Sequence, residues 1–268
     1  MVPRLVSSLL STALAGLLAL AVTTGELWLV AAGVLLVQVL VAAAPPSAGL
    51  EQVRSGSFVP VAAGSLVATG LTLDPSLLAG TSGTRAARDA LLSSGVLAGV
   101  LAGVAVVVAL AWFTQMLRRD GREHLVRSAA ATVTLGVLAT LAAGWVAAAR
   151  ASLSTDVVLM AGVGLSVAVL VWAAPGDRVV LASVAVLAGA GAGAAVPLVV
   201  DGSGTWVLGT AVGAGAALCA LLGQVVGRAW TAGGTTSGPE LWVFPAALSV
   251  ALAAPVAHLG AQLAVLVV

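Results

Sequence analysis

Polar positions in this chain come in short clusters, and between them lie apolar runs of about 20 residues, the length that crosses a ~30 Å hydrocarbon core at 1.5 Å per residue. The first run is Leu5–Thr24, and Gly25-Glu26 turns it into the second, Leu27–Ala44. Pro45-Pro46 ends that run, since a proline pair cannot continue a helix. The third, Ser57–Leu73, is short and carries Pro60, Gly64 and Gly70. A polar loop, Asp74–Ala90, with helix starts at Asp74-Pro75 and Thr84, precedes the fourth, Leu91–Leu117. The fifth, Ala129–Ala149, and the sixth, Val157–Ala174, are joined by Arg150–Asp156. Pro175-Gly176-Asp177-Arg178 is a tight turn into the seventh, Val179–Val200. Asp201-Gly202-Ser203-Gly204 leads to the eighth, Thr205–Gly227, and the Gly/Thr/Ser-rich loop Arg228–Glu240 leads to the ninth, Leu241–Val267. The pattern predicts an all-α fold, a polytopic transmembrane helix bundle with residues 1–268 as one integral membrane domain.

Charge assigns the sides. Arg118–Arg127 holds six of the chain's formally charged residues, with long uncharged runs on both sides, and reads as a cytoplasmic hinge. With nine spans and the N-terminus inside, Arg4, Arg54, Arg118, Arg119, Arg122, Arg127, Arg178 and Arg228 are cytoplasmic, against Arg85, Arg88 and Arg150 outside. If the third run does not cross, leaving eight spans, Arg4 and Arg54 move outside and the bias nearly vanishes. The positive-inside rule therefore predicts nine spans, with the C-terminus outside. Arg118, Arg119, Arg122 and Arg127 are expected to anchor the hinge among anionic headgroups, or else to dock a cytoplasmic partner. Ala19-Leu20-Ala21 resembles a signal-cleavage site, but the apolar region is longer than a signal's, which favours an uncleaved helix. All seven tryptophans fall at or near predicted span ends, where an indole suits the headgroup layer.

Composition agrees. The chain is 60% hydrophobic and 8% charged, too little charge for a water-facing surface. Lys, Asn, Ile and Tyr are absent, which is the coding bias of a GC-rich genome of the actinobacterial sort. A single cysteine, Cys219, excludes an intrachain disulfide and any multi-cysteine metal site.

Helices in lipid associate by close backbone approach and interhelical polar contacts. Gly95, Gly99 and Gly103 recur every four residues on the fourth span, and Gly215, Cys219, Gly223 and Gly227 on the eighth. Both rows are predicted interfaces, within the bundle or with other membrane proteins. Gly136, Thr140 and Gly144, and Gly189 and Gly193, make shorter rows.

Candidate chemistry is sparse. No charged residue lies well inside a predicted span, which argues against a proton-driven pump. The polar residues at depth are Gln38, Gln224, His258 and Gln262, with Cys219. His258 and Gln262 share a helix face, and Pro255 releases the carbonyl of residue 251. They are candidates to line a polar cavity, or to hydrogen-bond a neighbouring helix. Gly80-Thr81-Ser82-Gly83 resembles the Gly-x-Ser-Gly motif of rhomboid intramembrane proteases, and Ala257-His258-Leu259-Gly260 is partly similar to their Ala-His-x-x-Gly. That resemblance implies a Ser82 nucleophile with His258 as its base. Two departures stand against it: the glycine after His258 comes one place early, and Ser82 is followed by Arg85, Arg88 and Asp89 rather than by an apolar helix. There is no phosphate-binding Gly-x-x-x-x-Gly-Lys and no His-Glu-x-x-His, and the two histidines fall on opposite sides of the predicted bundle. No cofactor and no nucleic-acid partner are expected; the lipid bilayer of the cell membrane is. The expected function is that of a transporter or permease, with a non-catalytic subunit or scaffold of an envelope complex as the alternative and an intramembrane protease as the remote one.

Overall fold

A computed structural model describes residues 2–43, 54–74, 76–79, 85–117, 125–151, 155–200, 205–232 and 238–267. Among these the chain is helical throughout, with no strand. The segments are α1 (Val2–Thr23), α2 (Leu27–Ala42), α3 (Arg54–Leu73), α4 (Ser76–Ala79), α5 (Arg85–Met116), α6 (Leu125–Leu141), α7 (Gly144–Arg150), α8 (Thr155–Trp172), α9 (Arg178–Val199), α10 (Trp206–Thr231) and α11 (Glu240–Val267). Six are long and apolar enough to cross a membrane, α6 and α7 counting together; α2, the apolar part of α3 and α8 are shorter. This is the composition of a helical membrane protein.

Local chemistry sets several boundaries. Gly25 at φ +74° and Gly176 at φ +153° take backbone conformations that other residues rarely adopt, and they make the α1–α2 and α8–α9 turns tight. Asp177 caps α9 by accepting from the Val179 and Val180 N–H groups, and Thr205 caps α10 through the Leu208 N–H. At the α3 terminus the Arg150 guanidinium donates to the Thr72 carbonyl at 2.8 Å. The exposed Asp74 accepts from the Ser76 hydroxyl and N–H, and with Arg150 nearby these hold its carboxyl below the usual range. Pro60, Pro197, Pro245 and Pro255 all sit inside continuous helices.

The rods form two packed groups. α8, α9 and α10 lie together, with α1 against α8 and α11 against α10; α3, α5 and α6 form the other group. α2 lies between them, touching α1, α3, α6, α7 and α11. α11 is the most buried of the six long spans, its inner face a column of small residues from Ala246 to Ala261. Large apolar side chains coat the outside, among them Leu20, Leu66, Leu101, Leu187, Leu198 and Leu222. Most serines, threonines and glutamines at depth point inward, including Ser7, Ser11, Gln38, Thr69, Gln224 and Ser249. A soluble protein would show the reverse arrangement.

Both groups are closed by glycines whose hydrogens face a neighbour's backbone. A Cβ on Gly164 of α8 would lie 2.7 Å from the Gly213 Cα, and one on Gly189 of α9 would lie 2.8 Å from the Gly164 carbonyl oxygen. Gly193 and Gly209 face each other more closely still, so α8, α9 and α10 meet backbone to backbone. In the other group a Cβ on Gly103 would stand 2.6 Å from the Gly64 carbonyl oxygen, one on Gly99 2.9 Å from that of Ala68, and Gly136 abuts Val107. On α10, Cβ atoms on Gly223 and Gly227 would come 2.5 and 2.6 Å from the Cα atoms of Ser249 and Pro245, and one on Gly215 2.8 Å from a Val256 methyl carbon. That row faces α11. Gly95 lies on α5 where only the backbone is described.

Two tryptophans depart from the expected interfacial belt. Trp28, Trp112 and Trp206 are exposed, but Trp145 and Trp172 are buried. The Trp172 ring packs in a small apolar cluster with the Arg178 guanidinium 5.5 Å from its centroid.

The crossing geometry gives a paired test. Gly193→Ala forces the Gly209 backbone away and should destabilise by about 1–3 kcal/mol, the usual range for overpacking. Gly191→Ala adds a methyl where nothing lies within 4 Å, so with alanine's better helix propensity stability should hold or rise by up to about 1 kcal/mol. Apparent Tm in detergent reads both, and equal shifts would contradict the crossing.

Candidate functional site

The fifth apolar run is broken. Sequence predicts one helix over Ala129–Ala149, whereas α6 stops at Leu141 and α7 starts at Gly144. Across the break the bonds shorten to i→i−3: Ala142 N–H to Ala139 O at 3.2 Å, Ala143 N–H to Thr140 O at 3.1 Å and Trp145 N–H to Ala142 O at 3.1 Å. The residues there are alanine and glycine, so no proline forces the change. Neighbouring helices do. A Cβ on Gly144 would lie 2.9 Å from the Ala254 carbonyl oxygen, so α7 rests directly on α11. The buried Trp145 indole N–H donates to the Val250 carbonyl at 2.9 Å, fixing α7 to the same helix.

Gln38 completes the break from α2. Its amide nitrogen donates to the Ala139 carbonyl at 3.2 Å, and its amide oxygen accepts from the Thr69 hydroxyl of α3 at 2.9 Å. Gln38 and Thr69 are both buried. Gln38 stands 11 residues into α2, about 16 Å from its start at the helical rise. Gln38 therefore ties α2 to α3 and to a carbonyl near the end of α6. Thr140, also buried, turns its hydroxyl back to the Val137 carbonyl at 2.9 Å.

The other polar residues singled out from sequence lie elsewhere. Gln224 of α10 is fully buried; its oxygen accepts from Ser7 of α1 at 2.7 Å and from Arg228 at 2.9 Å, and its nitrogen donates to Ser11 at 3.0 Å. Ser11 also donates to the Ser7 carbonyl at 3.0 Å, and Ser249 of α11 donates to the Ala220 and Pro245 carbonyls. Gln224 Nε2 reaches the Pro245 oxygen at 3.5 Å, and Pro245 is 13 residues from His258 along α11, about 20 Å. The structure does not bring Gln224 and His258 together. His258 is half-buried with its Nδ1 enclosed and without a partner, and Gln262 is exposed one turn on. Cys219 is a half-buried free thiol. Arg127 is exposed at the start of α6; Arg118, Arg119 and Arg122 lie outside the described residues, as does Ser82 of the protease-like motif.

Ser7, Ser11 and Thr69 are the residues that sequence reasoning passed over. A faint signal existed: Ser7 and Ser11 are one turn apart, in line with the apolar Leu14, Ala15 and Leu18. Among the described residues no three His, Cys, Asp or Glu side chains come together as a metal would require. No family model, no curated protein and no solved structure matches the chain.

Substitution at the break is predictable. Gln38→Leu removes one of the two donors on the Ala139 carbonyl, leaves the Thr69 hydroxyl without its acceptor and should lower stability by about 1–3 kcal/mol. Trp145→Phe removes one bond to an already helical carbonyl and should cost less, on the order of 1 kcal/mol. Thermal unfolding in detergent measures both, and the reverse order would contradict this account.

Proposed function

We propose that this chain is a multi-pass protein of a bacterial cell membrane that moves a small uncharged solute, with the α6–α7 break as the binding centre. The observation that carries the reading is the interrupted helix whose terminal carbonyl is held by a side chain from another helix. Discontinuous helices place unpaired backbone groups at mid-membrane, where transporters bind substrate. Here the Ala139 carbonyl is taken by Gln38, so the described conformation is closed. A solute bearing one donor and one acceptor could replace Gln38 on Ala139 and pair with Thr69. No described Asp, Glu or Arg takes part in these bonds, which favours a neutral ligand and no local proton relay.

The proposed topology has nine crossings, with the N-terminus cytoplasmic and the C-terminus outside. The arginine distribution supports it, as does the grouping of α6 with α7 as one crossing. A fluorescent protein that matures only in the cytoplasm, fused after Val268, should be dark, and alkaline phosphatase there should be active; after Ala43 the pattern should invert. A bright C-terminal fusion overturns nine crossings.

The satisfied hydrogen bonds also favour a second reading, a non-catalytic subunit in which Gln38 only ties helices together. Gln38→Cys in a Cys219→Ser background separates the two. A membrane-impermeant thiol reagent applied to oriented vesicles should modify position 38 from one side if the break opens. Full protection from both sides supports the subunit.

A further inference from the structure

The end of the bundle where α1 begins and α10 finishes carries two arginines that no described group neutralises. The Ser7–Gln224 hydrogen bond sets their register. Arg4 precedes Ser7 by three residues on α1, and Arg228 follows Gln224 by four on α10. Each therefore stands one turn beyond the same bond on its own helix. That register puts both charges at the same end of the bundle. Arg228 donates to Gln224 Oε1 at 2.9 Å, which fixes its guanidinium, and this is the one hydrogen bond described for the pair. Both side chains are half-buried.

Such an arrangement is unfavourable when left empty. Two like charges held together raise the energy of this end, and partial burial weakens the water that would screen them. A guanidinium offers five N–H donors in a planar fork, the geometry that grips phosphate oxygens in pairs. The level in the membrane also suits a phosphate: Trp230 lies two residues beyond Arg228, half-buried, with its ring 6.1 Å from that of Phe244, as an interfacial aromatic would be. The ordinary role of scattered interfacial arginines, holding a helix end in the headgroup layer, needs neither the pairing nor the buried Gln224 that positions one of them.

We propose that Arg4 and Arg228 clamp a single phosphoryl group at the membrane surface, joining the first helix of the chain to the tenth through a bound anion. The site is distinct from the α6–α7 break and does not depend on how that break functions. A phospholipid headgroup and a soluble phosphate share this chemistry, and competition distinguishes them.

The test uses the purified full-length protein in a non-ionic detergent, titrated with short-chain phosphatidylglycerol and followed by native mass spectrometry and thermal unfolding. Wild type should bind one lipid and gain stability as lipid is added. Arg4→Gln with Arg228→Gln should weaken binding about tenfold or more and abolish the lipid-dependent rise in Tm. Without lipid the double variant should be at least as stable as wild type, because the repulsion is gone. Arg127→Gln with Arg178→Gln removes the same formal charge elsewhere and should change binding less than about twofold. Displacement of the lipid by millimolar inorganic phosphate assigns the clamp to a soluble ligand; resistance assigns it to the lipid. Undiminished lipid binding by the Arg4→Gln, Arg228→Gln variant, or an equal loss with Arg127→Gln and Arg178→Gln, overturns the proposal.

Discussion

A bilayer interior offers no hydrogen bonds, so a polar group that this chain carries to depth is costly unless it finds a partner inside the bundle. That constraint explains why many large apolar residues face outward while Gln38 and Gln224 are enclosed. It also explains the glycines. With lipid as apolar as leucine, the helices gain little from burying large side chains against each other, and stability comes from dispersion and polar contacts between closely approached backbones. Gly164, Gly189, Gly193, Gly209 and Gly213 bring three helices to that distance at one crossing, and Gly64, Gly99 and Gly103 bring two more. Only at such separations can a side chain as short as Ser249 reach the Ala220 carbonyl of the next helix.

The positions of the rods are legible in the sequence because each apolar run ends in residues with clear local meaning, such as Gly25, the Pro175–Asp177 turn and the cap at Thr205. What the sequence conceals is which helix breaks. Proline is the residue whose chemistry most often interrupts a helix, yet α9 and α11 run through Pro197 and Pro255 without interruption. The helix that breaks does so at Ala142-Ala143-Gly144, residues with no turn chemistry of their own. There the deciding contacts come from elsewhere: Gln38 on the released carbonyl, and α11 under Gly144. A helix end made by tertiary contacts leaves no mark in its own segment.

Partner choice is hidden for a related reason. A serine or threonine in a membrane helix can satisfy itself by bonding the carbonyl four residues back, as Thr12, Thr72, Thr132, Ser166 and Thr210 do. In the sequence Ser7 and Thr69 look no different, yet both point their hydroxyls at a glutamine on another helix. Glutamine has no such local outlet, so its presence at depth signals a tie between helices. Gln38 and Gln224 could be recognised as important on that ground, but not that they belong to separate networks. Their separation follows from helix direction and depth, which only the assembled bundle supplies. His258 is the converse case. It drew attention by chemistry, yet its enclosed Nδ1 makes no hydrogen bond and its neighbour Gln262 faces outward.

The distribution of close contacts also says where the bundle would yield first. α7 is seated on α11, the most buried of the long spans, through Gly144 against the Ala254 backbone and Trp145 on the Val250 carbonyl. Moving α7 alone would expose a backbone carbonyl and strip an indole of its partner. α2 is held differently. Its one glycine, Gly33, meets the ends of the Leu17 and Leu18 side chains rather than a backbone, with a Cβ there 2.8 Å from a Leu18 methyl. Leucine tips rotate at little cost, whereas a backbone cannot move without its helix. Apart from those side-chain contacts, Gln38 is the polar link from α2 to the break, and an incoming ligand could substitute for it on the Ala139 carbonyl. The proposed opening of the break would therefore cost least along α2, leaving both glycine-locked groups intact.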